Sequence, residues 1–508
     1  MNSNATSTKG IWKVISASSV GTLIEWYDFY IFGSLAIIIS EKFFPAGNPS
    51  AAFLATLATF AAGFIVRPFG ALVFGRLGDI VGRKYTFLLT LIIMGGSTFL
   101  IGLIPSYENF KLAPVVILLL RLIQGLALGG EYGGAATYVA EHAPENKKGF
   151  YTSFIQTTAT LGLFISLIVI ISLQNSMSKE AFADWGWRVP FLMSIALVIV
   201  SIIIRLKMNE SPLFQKLKTE GNTSTNPLKE SFGNKLNLKM VLLALFGATM
   251  GQGIVWYTSQ FYAQTFLLKT CNIDSTQVNT WIGIALLLAT PFFVFFGWLS
   301  DKIGRKSIMM TGLFLAIISY QYIFKQFFYY SDVSKKQTEL IQVKPTITQK
   351  IITQNNQLKY VEVVENKQTI YTDGSTLIEN KISRLNDTNA NPTTKKTLVL
   401  SKEYRWKIIG WMFILVLFVT MVYGPIAAFL VELFPTKIRY TSMSLPYHIG
   451  NGVFGGMVPF IGTLIFEYSK TNTNPNGNPL SGLWYPIIVA SICFVIGTIY
   501  LSNSKKAQ

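Results

Sequence analysis

Charged side chains within long apolar runs are the residues of this sequence most able to do chemistry. Glu25 and Asp28 lie in the first run, and Arg121 and Glu131 lie in the fourth. A charge in hydrocarbon is costly, so such residues usually serve a function or pair with one another. Glu25 and Asp28 are three residues apart and therefore share one helix face. Because a carboxyl group between a desolvating environment and an arginine can exchange a proton near neutral pH, we predict that these four residues couple protons to another event.

The same four charges allow a second interpretation, in which they only pair to hold helices together. Asp28 is predicted about 20 Å along its helix, near mid-depth, and Arg121 about 14 Å inside the fourth helix. A buried charge needs a partner of opposite sign, and Asp28 is the predicted partner of Arg121 in the absence of a ligand. Protonation of Asp28 would then free Arg121 to bind a carboxylate through its planar fork.

Polar and aromatic residues of the seventh run form a predicted binding wall. Gln252, Trp256 and Gln260 recur every four residues and therefore define one stripe of a helix. A polar stripe in a bilayer faces either a cavity or another helix, so a ligand-facing wall and interhelical hydrogen bonding both remain open. The predicted binding site is completed by Arg121 and by three residues from the first, fourth and tenth runs: Tyr27, Gln124 and Tyr423.

Composition places these residues in a membrane protein. The chain has 508 residues, 51% of them apolar and 13% charged, whereas soluble domains carry about 25% charged residues. Its mean hydropathy is +0.42. The net charge of +18 is spread over short segments beside apolar runs rather than collected in one patch, so a nucleic-acid partner is not expected. The two cysteines have no metal-ligand neighbours, and neither a disulfide nor a cofactor is expected.

Twelve apolar runs are long enough to span a bilayer, which takes roughly 20 residues. Lys and Arg number 21 in the segments on one side and six in the short segments on the other, so the positive-inside rule, which does not apply to long loops, places both termini in the cytoplasm. No cleavage site follows the first run, so we expect a retained helix rather than a signal peptide. The predicted spans are about 14–40, 51–74, 85–105, 112–140, 150–173, 188–206, 239–267, 278–299, 307–328, 406–431, 443–468 and 483–502.

A ten-residue segment occurs twice and divides the chain into two related halves. Gly75–Lys84 and Gly297–Lys306 both have the pattern G-x-x-x-D-x-x-G-R-K, 222 residues apart. Repetition of this kind is typical of membrane proteins built from structural repeats. The predicted domains are two six-helix bundles, 1–206 and 239–508, joined by a central cytoplasmic loop, 207–238.

The repeated segments are predicted to act as conformational latches rather than ligand contacts. Glycine permits a tight turn and close helix approach, and aspartate can cap the N-terminus of a neighbouring helix. Arg83 and Lys84 are expected at the membrane surface, beside lipid head groups. The predicted gating residues are Gly75, Asp79, Gly82, Arg83, Gly297, Asp301, Gly304 and Arg305.

A weaker repeat measures an insertion in the second half. The segment 141–144, E-H-A-P, resembles 432–435, E-L-F-P, at an offset of 432 − 141 = 291, which exceeds 222 by 69 residues. The polar segment 329–405 accounts for this excess and is expected on the extracytoplasmic side, between helices 9 and 10. Alternation at 360–364 and the turn signal at 373–374 favour a small β element, and a disordered loop is the alternative. The insertion is predicted to be dispensable for folding and basic function.

Three other features receive packing or loop interpretations. Residues 450–455 spell G-x-G-x-x-G within an apolar run that no strand precedes, so they indicate close helix packing rather than nucleotide binding. His448 is expected to pack within the eleventh helix, and His142 is expected in a loop. No catalytic motif or metal cluster accompanies them, so an enzyme is not expected, including one that acts on lipid or polyprenyl substrates.

These motifs together resemble a known family of membrane proteins. The duplicated segment resembles the signature loop of the major facilitator superfamily. Finer matches resemble its metabolite:proton symporter branch, whose members carry proline and betaine, α-ketoglutarate, citrate, shikimate or other small carboxylates. The finer resemblance is carried by 21–30 (GTLIEWYDFY), 67–70 (RPFG), 121–125 (RLIQG), 130–134 (GEYGG), 149–151 (GFY), 186–191 (GWRVPF) and 210–212 (ESP).

The resemblance implies an all-helical alternating-access fold with a central site lined by helices 1, 4, 7 and 10. It implies proton-coupled import of a small carboxylated or zwitterionic metabolite by a monomer in a bacterial inner membrane. Its expected partners are that metabolite, protons and the lipid bilayer. A facilitator or exchanger without net proton coupling and a non-transporting nutrient sensor are the alternatives. The insertion 329–405 departs from the usual pattern, and the short C-terminus lacks the coiled coil of osmosensing members, so an osmosensory role is not expected.

Overall fold

The structure is a computed structural model of the chain. It describes residues 8–44, 49–207, 209–336, 345–354, 357–385, 393–475 and 477–502. Among these residues, eleven helices are long and apolar enough to cross a bilayer, and a bent helix pair near the N-terminus makes a twelfth span. The predicted architecture of twelve membrane-spanning helices is therefore confirmed.

The long helices, labelled α1 to α12, follow the apolar runs of the sequence. Several consist of two segments separated by one or two residues. Their bounds are α1 Thr8–Ser34 with Ala36–Phe43, α2 Pro49–Ile65 with Arg67–Ile80, α3 Arg83–Leu103, α4 Ala113–His142, α5 Lys148–Gln156 with Thr158–Ser176, α6 Arg188–Leu206, α7 Lys235–Thr270, α8 Ser275–Ile303, α9 Arg305–Ser331, α10 Lys402–Leu433, α11 Thr436–Tyr468 and α12 Ser481–Tyr500.

Interruptions within two helices have a local cause in proline. α2 breaks at Val66, and Pro68 follows within the next turn; α10 breaks at Gly424 and Pro425. Proline lacks the N–H that a continuous helix would use and clashes with the preceding turn. α7 is different, because it contains three π-helical turns at 245–249, 258–262 and 266–270. Such turns are rare and often mark functional sites.

The helices present apolar side chains to the exterior as well as to the core. α10 and α7 are the most enclosed, with 89% and 67% of their most apolar windows buried. Peripheral faces nevertheless carry large exposed apolar residues, including Ile65, Ile168 and Leu287. Extensive exposed apolar surface suits a bilayer rather than water. The chain therefore has a polar and aromatic centre near α7 and α10 and an apolar outer surface.

A four-stranded antiparallel sheet occupies the insertion between α9 and α10. Its strands, β1 to β4, pair in chain order. The predicted turn at Asp373 and Gly374 joins β2 to β3, and Gly374 has a φ of 79°, which favours glycine. Of the two alternatives for this segment, the small β element is therefore confirmed for the described residues. The strands are Thr346–Gln354, Gln357–Ile370, Thr376–Leu385 and Thr393–Val399.

The sheet is fixed to the end of the second bundle that lies opposite the repeated turns. We call the end that carries both repeated turns the loop face and the opposite end the insertion face. Leu398 of β4 donates its N–H to Asn272 O at 2.6 Å and accepts from Asp274 N–H at 2.9 Å. Gln277 at the start of α8 exchanges two hydrogen bonds of 2.9 Å with the backbone of Leu400. The insertion is thus attached to the α7–α8 loop by backbone pairing.

Two expectations about helix ends are wrong. His142 is the last residue of α4 rather than a loop residue, and its Nδ1 lies 2.8 Å from the carbonyl oxygen of Tyr138. The segment between α9 and α10 is shorter than 329–405, because α9 continues to Ser331 and α10 begins at Lys402. Both errors arise because polar residues extend helices beyond their apolar runs.

Candidate functional site

Asp28 and Arg121 are joined by a chain of hydrogen bonds rather than by a direct ion pair. Thr98 of α3 donates its hydroxyl to Asp28 Oδ2 at 2.6 Å. Gln124 donates from Nε2 to that hydroxyl oxygen at 2.7 Å, and its Oε1 accepts from Arg121. The direct Asp28–Arg121 partnership expected from sequence is therefore not formed in this structure. Thr98 is a residue that sequence analysis missed, since threonine in an apolar helix gives no distinctive signal.

Arg121 is a buried cation between aromatic rings. Its guanidinium carbon lies 3.7 Å from the ring centroid of Phe32 and 5.2 Å from that of Phe60, within the range of cation–π attraction. No carboxylate oxygen of the described residues lies within 4.0 Å of its nitrogens. Its Nε, like Oδ1 of Asp28, has no hydrogen-bond partner among the described residues. Arg121 therefore keeps donor capacity for an anion.

Glu25 and Arg67 form a second charged pair near this chain. Glu25 Oε1 lies 3.7 Å from an Arg67 terminal nitrogen, and both side chains are largely buried. The Arg67 guanidinium also lies over the ring of Phe64 at 4.4 Å. The separation is long for a charge-assisted hydrogen bond, which is usually about 2.7–2.9 Å. The contact is therefore one that a small movement could tighten or release.

Two small cavities flank the Glu25–Arg67 pair. One, of about 20 Å³, reaches Arg121 and Gln124. The other, of about 30 Å³, reaches Trp256 and Tyr423. Each has room for about one or two water molecules, so the structure is closed around its charged centre. A larger cavity of about 760 Å³ lies beneath the sheet at the insertion face.

Glu131, predicted to couple protons, is held in an ion pair that sequence analysis did not foresee. Arg205 near the end of α6 donates to Glu131 Oε1 at 2.6 Å, and Thr90 donates to Oε2 at 3.0 Å. The Arg205 guanidinium also lies 3.4 Å from the ring centroid of Phe87. These contacts lie within the first bundle. The geometry favours the structural interpretation of Glu131, which the sequence left open.

The α7 stripe is divided between two roles. Gln252 and Asn451 of α11 form a reciprocal pair of amide hydrogen bonds, 3.1 and 2.7 Å, which favours the interhelical interpretation for Gln252. Trp256 lies 5.0 Å from Trp26 of α1, between ring centroids, and lines a central cavity. Gln260 is buried within a π-helical turn. The π turns displace the regular spacing from which one continuous stripe was predicted.

Three tyrosines link the bundles on the loop-face side of the central residues. The rings of Tyr132 and Tyr447 stack at 3.7 Å with an interplanar angle of 5°, and the hydroxyls of Tyr423 and Tyr447 lie 2.6 Å apart. Tyr423 borders the central cavity, and its role in substrate binding stays a prediction. Tyr27 does not border that cavity, because its hydroxyl donates to Pro190 O at 2.8 Å within the core of the first bundle.

The aspartates of the two repeated turns cap helices of the opposite bundle. Asp79 accepts hydrogen bonds from the backbone N–H groups of Tyr440, at 3.3 Å, and Thr441, at 2.8 Å, in α11. Asp301 accepts from the N–H groups of Gly149 and Phe150 in α5, both at 2.8 Å. A carboxylate at a helix N-terminus satisfies free N–H groups and interacts favourably with the positive end of the helix dipole. The capping geometry expected from sequence is therefore present in both halves.

Sequence analysis placed the arginines of these turns at the lipid surface, and this expectation is wrong. Arg83 is fully buried, lies 3.1 Å from Asp79 and donates to Thr436 O at 2.7 Å. Arg305 lies 3.0 Å from Asp301 and donates to Glu432 at 2.7 Å. Each guanidinium thus bridges the aspartate of its own turn and the end of a neighbouring helix. The positive-inside rule predicts on which side of the membrane cations collect. It could not show that these two arginines form buried ion pairs and hydrogen bonds.

The repeated glycines permit the close contacts that bring the bundles together. A Cβ on Gly75 would lie 2.9 Å from the Cα of Thr441, and one on Gly297 would lie 2.5 Å from the Cβ of Ser153. The later glycines of each repeat, Gly82 and Gly304, have φ values of 140° and 98°, which L side chains rarely adopt. Close approach and turn geometry therefore explain why both copies carry glycine.

Comparison with known proteins agrees with this architecture. Residues 13–236 match a family model described as sugar (and other) transporter. The chain is 28% identical over 497 residues to the α-ketoglutarate permease of Escherichia coli, covering 97% of this chain and 94% of that protein. It is 30% identical over 507 residues to a putative metabolite transport protein of Haemophilus influenzae, with 97% and 94% covered.

The fold is also that of a solved transporter. The proton:xylose symporter XylE superposes with a TM-score of 0.68 at 15% sequence identity, covering 98% of this chain and 97% of that one. The matched family and these relatives are membrane transporters, so the chain is a multi-pass membrane transporter rather than an enzyme. The chain belongs to the major facilitator superfamily, among relatives that are metabolite transporters.

Proposed function

We propose that this transporter imports a small carboxylated or zwitterionic metabolite together with protons, by alternating access. The observation that carries the proposal is the state of Arg121. It is buried, has no carboxylate of the described residues within 4.0 Å, and is connected to Asp28 through Gln124 and Thr98. A buried cation without an adjacent anion is costly, and a carboxylate ligand would remove that cost.

The anion would bind to the N–H groups of Arg121 that have no partner among the described residues. Gln124 occupies one side of the guanidinium, and Phe32 covers a face. A carboxylate that entered from the adjoining cavity would meet the remaining edge in a planar, two-point contact. Glu25 and Arg67 border the same cavity. Glu25 would suit an ammonium group, so a zwitterion would find both charges matched.

The proton would bind to Asp28, and Thr98 would transmit its effect. The Thr98 hydroxyl has two acceptors within reach, Asp28 Oδ2 at 2.6 Å and Met94 O at 3.1 Å. When Asp28 is ionised, its charge offsets that of Arg121 through the intervening Gln124. When Asp28 is protonated, Thr98 can turn its hydroxyl proton to Met94 O and accept from the acid. Arg121 then attracts a carboxylate more strongly, so proton and anion binding promote each other.

The two ends of the molecule would open in turn. The loop face is proposed to be cytoplasmic because its segments carry 21 Lys and Arg residues, against six in the short segments of the opposite face. Caps from Asp79 and Asp301 close that face, whereas Trp26–Trp256 and Phe29–Phe261 ring contacts close the path toward the insertion face. The two bundles, 1–206 and 239–508, are proposed to rock about this centre in a monomer in a bacterial inner membrane.

The carboxylate requirement is tested with purified protein in vesicles under an imposed pH gradient. A metabolite screen first identifies a transported compound, which is then compared with its amide or methyl ester. We expect at least tenfold weaker binding of the neutral analogue, because a charge-assisted hydrogen bond contributes about 1.5–3 kcal/mol. Arg121→Lys should weaken carboxylate binding, and Arg121→Ala should abolish transport. Equal binding of acid and amide would refute the role of Arg121.

Proton coupling is tested separately at Asp28 and Thr98. Asp28→Asn keeps the shape but cannot ionise, so gradient-driven accumulation should vanish while substrate binding largely survives. Thr98→Val removes the hydroxyl at constant volume and should reduce the coupling of binding to pH, and Thr98→Ser serves as the matched control that retains it. Accumulation by Asp28→Asn with the wild-type pH dependence would show that Asp28 is not the proton carrier. A wild-type protein that does not accumulate its substrate under the imposed pH gradient would instead support a facilitator or exchanger.

A further inference from the structure

A groove on the outer surface, between the start of α7 and the end of α12, takes no part in the proposed transport cycle. It holds about 460 Å³, and it is open along one side. Lys235 and Lys239 lie at its loop-face end. The remaining lining is almost entirely apolar, so the groove has a cationic end and a hydrocarbon-like body. That apolar lining consists of Leu238, Leu242, Leu243, Phe246, Ile496 and Tyr500.

Sequence spacing explains the shape of this groove. Lys235, Lys239, Leu242 and Phe246 follow one another at intervals of four, three and four residues, so they lie along one helical stripe. The stripe begins in the first turn of α7, after the Asn234 cap, and continues toward the middle of the membrane. From Lys239 to Phe246 it covers roughly 10 Å, most of the roughly 15 Å depth of one hydrocarbon leaflet.

Lys235 and Lys239 differ from Lys84 and Lys306, whose ammonium groups bind backbone carbonyl oxygens. Lys306 donates to Thr498 O at 2.8 Å and to Leu501 O at 2.6 Å, and Lys84 donates to Leu206 O at 3.0 Å. Lys235 and Lys239 are exposed, and neither ammonium group has a hydrogen-bond or ion-pair partner among the described residues. Cations in the first turns of a helix also oppose its dipole, which favours an anion at that position.

We propose that this groove binds one anionic glycerophospholipid. Its phosphate lies between Lys235 and Lys239, and one acyl chain follows the apolar stripe between α7 and α12. Charge complementarity selects an anionic over a zwitterionic head group. The open side faces the bilayer, so the acyl chain gains contact with Leu242 and Phe246 without leaving an apolar environment. The site is independent of the substrate proposed for the central cavity.

Native mass spectrometry of the purified, full-length protein tests this site. The protein is titrated with phosphatidylglycerol and, in parallel, with phosphatidylcholine of the same acyl chains. We expect one phosphatidylglycerol to bind with clear preference, and Lys235→Gln/Lys239→Gln to weaken that first binding step by about 30-fold, since each lysine near a membrane surface contributes about a factor of five. The double variant should leave phosphatidylcholine binding unchanged.

Matched variants separate this site from general surface charge. Lys216→Gln/Lys218→Gln removes two exposed charges from the central loop and should leave lipid binding unchanged. Leu242→Trp fills the groove from an exposed position and should block the first lipid with both lysines intact. Unchanged phosphatidylglycerol binding in Lys235→Gln/Lys239→Gln would overturn the proposal. Equal weakening of lipid binding by the two double-lysine variants would also overturn it. So would a wild-type dimer that Leu242→Trp converts to a monomer, because the groove would then bind a second copy of the chain.

Discussion

The two copies of the repeated turn use the same aspartate in different surroundings. Asp79 and Arg83 have fully buried side chains, whereas those of Asp301 and Arg305 are 5% and 8% exposed. Both aspartates cap a helix of the other bundle, so the cross-bundle contact itself is repeated. What differs is the number of other segments that converge on each turn.

The first copy is tied to the central loop and to α11. Glu210 accepts hydrogen bonds from the N–H groups of Arg83 and Lys84 at 3.1–3.3 Å and so caps α3. Glu141 lies 3.6 Å from Arg83 and 2.8 Å from Arg439. The second copy has the Arg305–Glu432 pair at 2.7 Å. Duplication thus supplied a common cap, and the connection between the halves strengthened one copy.

The largest expected difference between the copies concerns their aspartates. Asp79→Asn weakens two cross-bundle hydrogen bonds and leaves buried Arg83 without its nearest carboxylate. Loss of one partner of a buried pair costs about 3–5 kcal/mol. That figure is an upper bound here, because Glu141 still lies 3.6 Å from Arg83, but the loop face should open more readily than in Asp301→Asn. Asp301→Asn should cost about 1–2 kcal/mol, because Arg305 keeps Glu432.

Hydrogen exchange checks this comparison directly. In Asp79→Asn, exchange should rise most at the amides of Tyr440 and Thr441. In Asp301→Asn it should rise less, at Gly149 and Phe150. Equal increases in the two variants would show that the extra contacts of the first copy do not stabilise the closed loop face.

The next effect concerns Glu210, which only the first copy uses. Glu210→Gln removes the charge that caps α3, and loss of such a cap typically costs about 1 kcal/mol. Protection of the amides of Arg83 and Lys84 should fall about fivefold in hydrogen exchange. Glu220→Gln is the matched control, since Glu220 lies in the same central loop, is exposed and has only long contacts, 3.8 Å to Lys216 and 3.5 Å to Asn222. If both variants behave alike, the cap has no energetic role.

Much of this arrangement followed from the sequence, for physical reasons. Apolar length determined the twelve spans, and the repeated D and G positions indicated capping and close approach. Glu210 as a partner of Arg83 was not predictable, because hydrogen bonds between segments about 127 residues apart leave no periodic signal. The same holds for Arg205 with Glu131.

The sequence predicted several residues of the candidate centre but not the hydrogen bonds that connect them. The sequence brought Asp28, Arg121 and Gln124 into one site, and the structure connects them. It did not indicate that Thr98 would stand between Asp28 and Gln124. The α7 stripe was also misjudged in part, because three π-helical turns alter the facing of residues after 245. Local backbone deviations of this kind depend on packing against other helices.

A smaller difference is expected at the glycines that end each turn. Alanine at Gly82 or Gly304 would have to adopt a positive φ, which costs about 1–2 kcal/mol. At Gly82 an added Cβ would also lie 2.3 Å from Glu210 Oε2, so the Glu210 cap would be displaced. Gly82→Ala should therefore lower the thermal stability of the purified protein more than Gly304→Ala. The opposite order would indicate that the Glu210 side chain adapts freely.

The smallest effect concerns pH and the contact between the central loop and the second bundle. Glu230 accepts a hydrogen bond from Lys437 at 2.7 Å and one from Ser224 at 2.5 Å. These bonds, the one from Lys437 foremost, hold the pKa of Glu230 below its ordinary value of 4.5. A carboxyl whose pKa is lowered by folding stabilises the folded state above its unfolded pKa. That contribution is therefore complete at neutral pH and is lost as the pH falls from about 4.5 through the lowered pKa.

Hydrogen exchange of residues 229–233, corrected for intrinsic rates, measures this contact at pH 7 and at pH 4. Glu230 and Lys437 are both partly exposed, so their contact should stabilise the folded state at pH 7 by less than about 1 kcal/mol. Other carboxyl groups titrate over the same range, and the informative quantity is therefore the difference between wild type and Glu230→Gln. That difference should be present at pH 7 and shrink toward pH 4, and Lys437→Met should remove it. A difference that is constant with pH would mean that Glu230 acts through packing rather than through its charge. Of the carboxylates considered, Glu210 and Glu141 would then be the ones that distinguish the first repeated turn from the second.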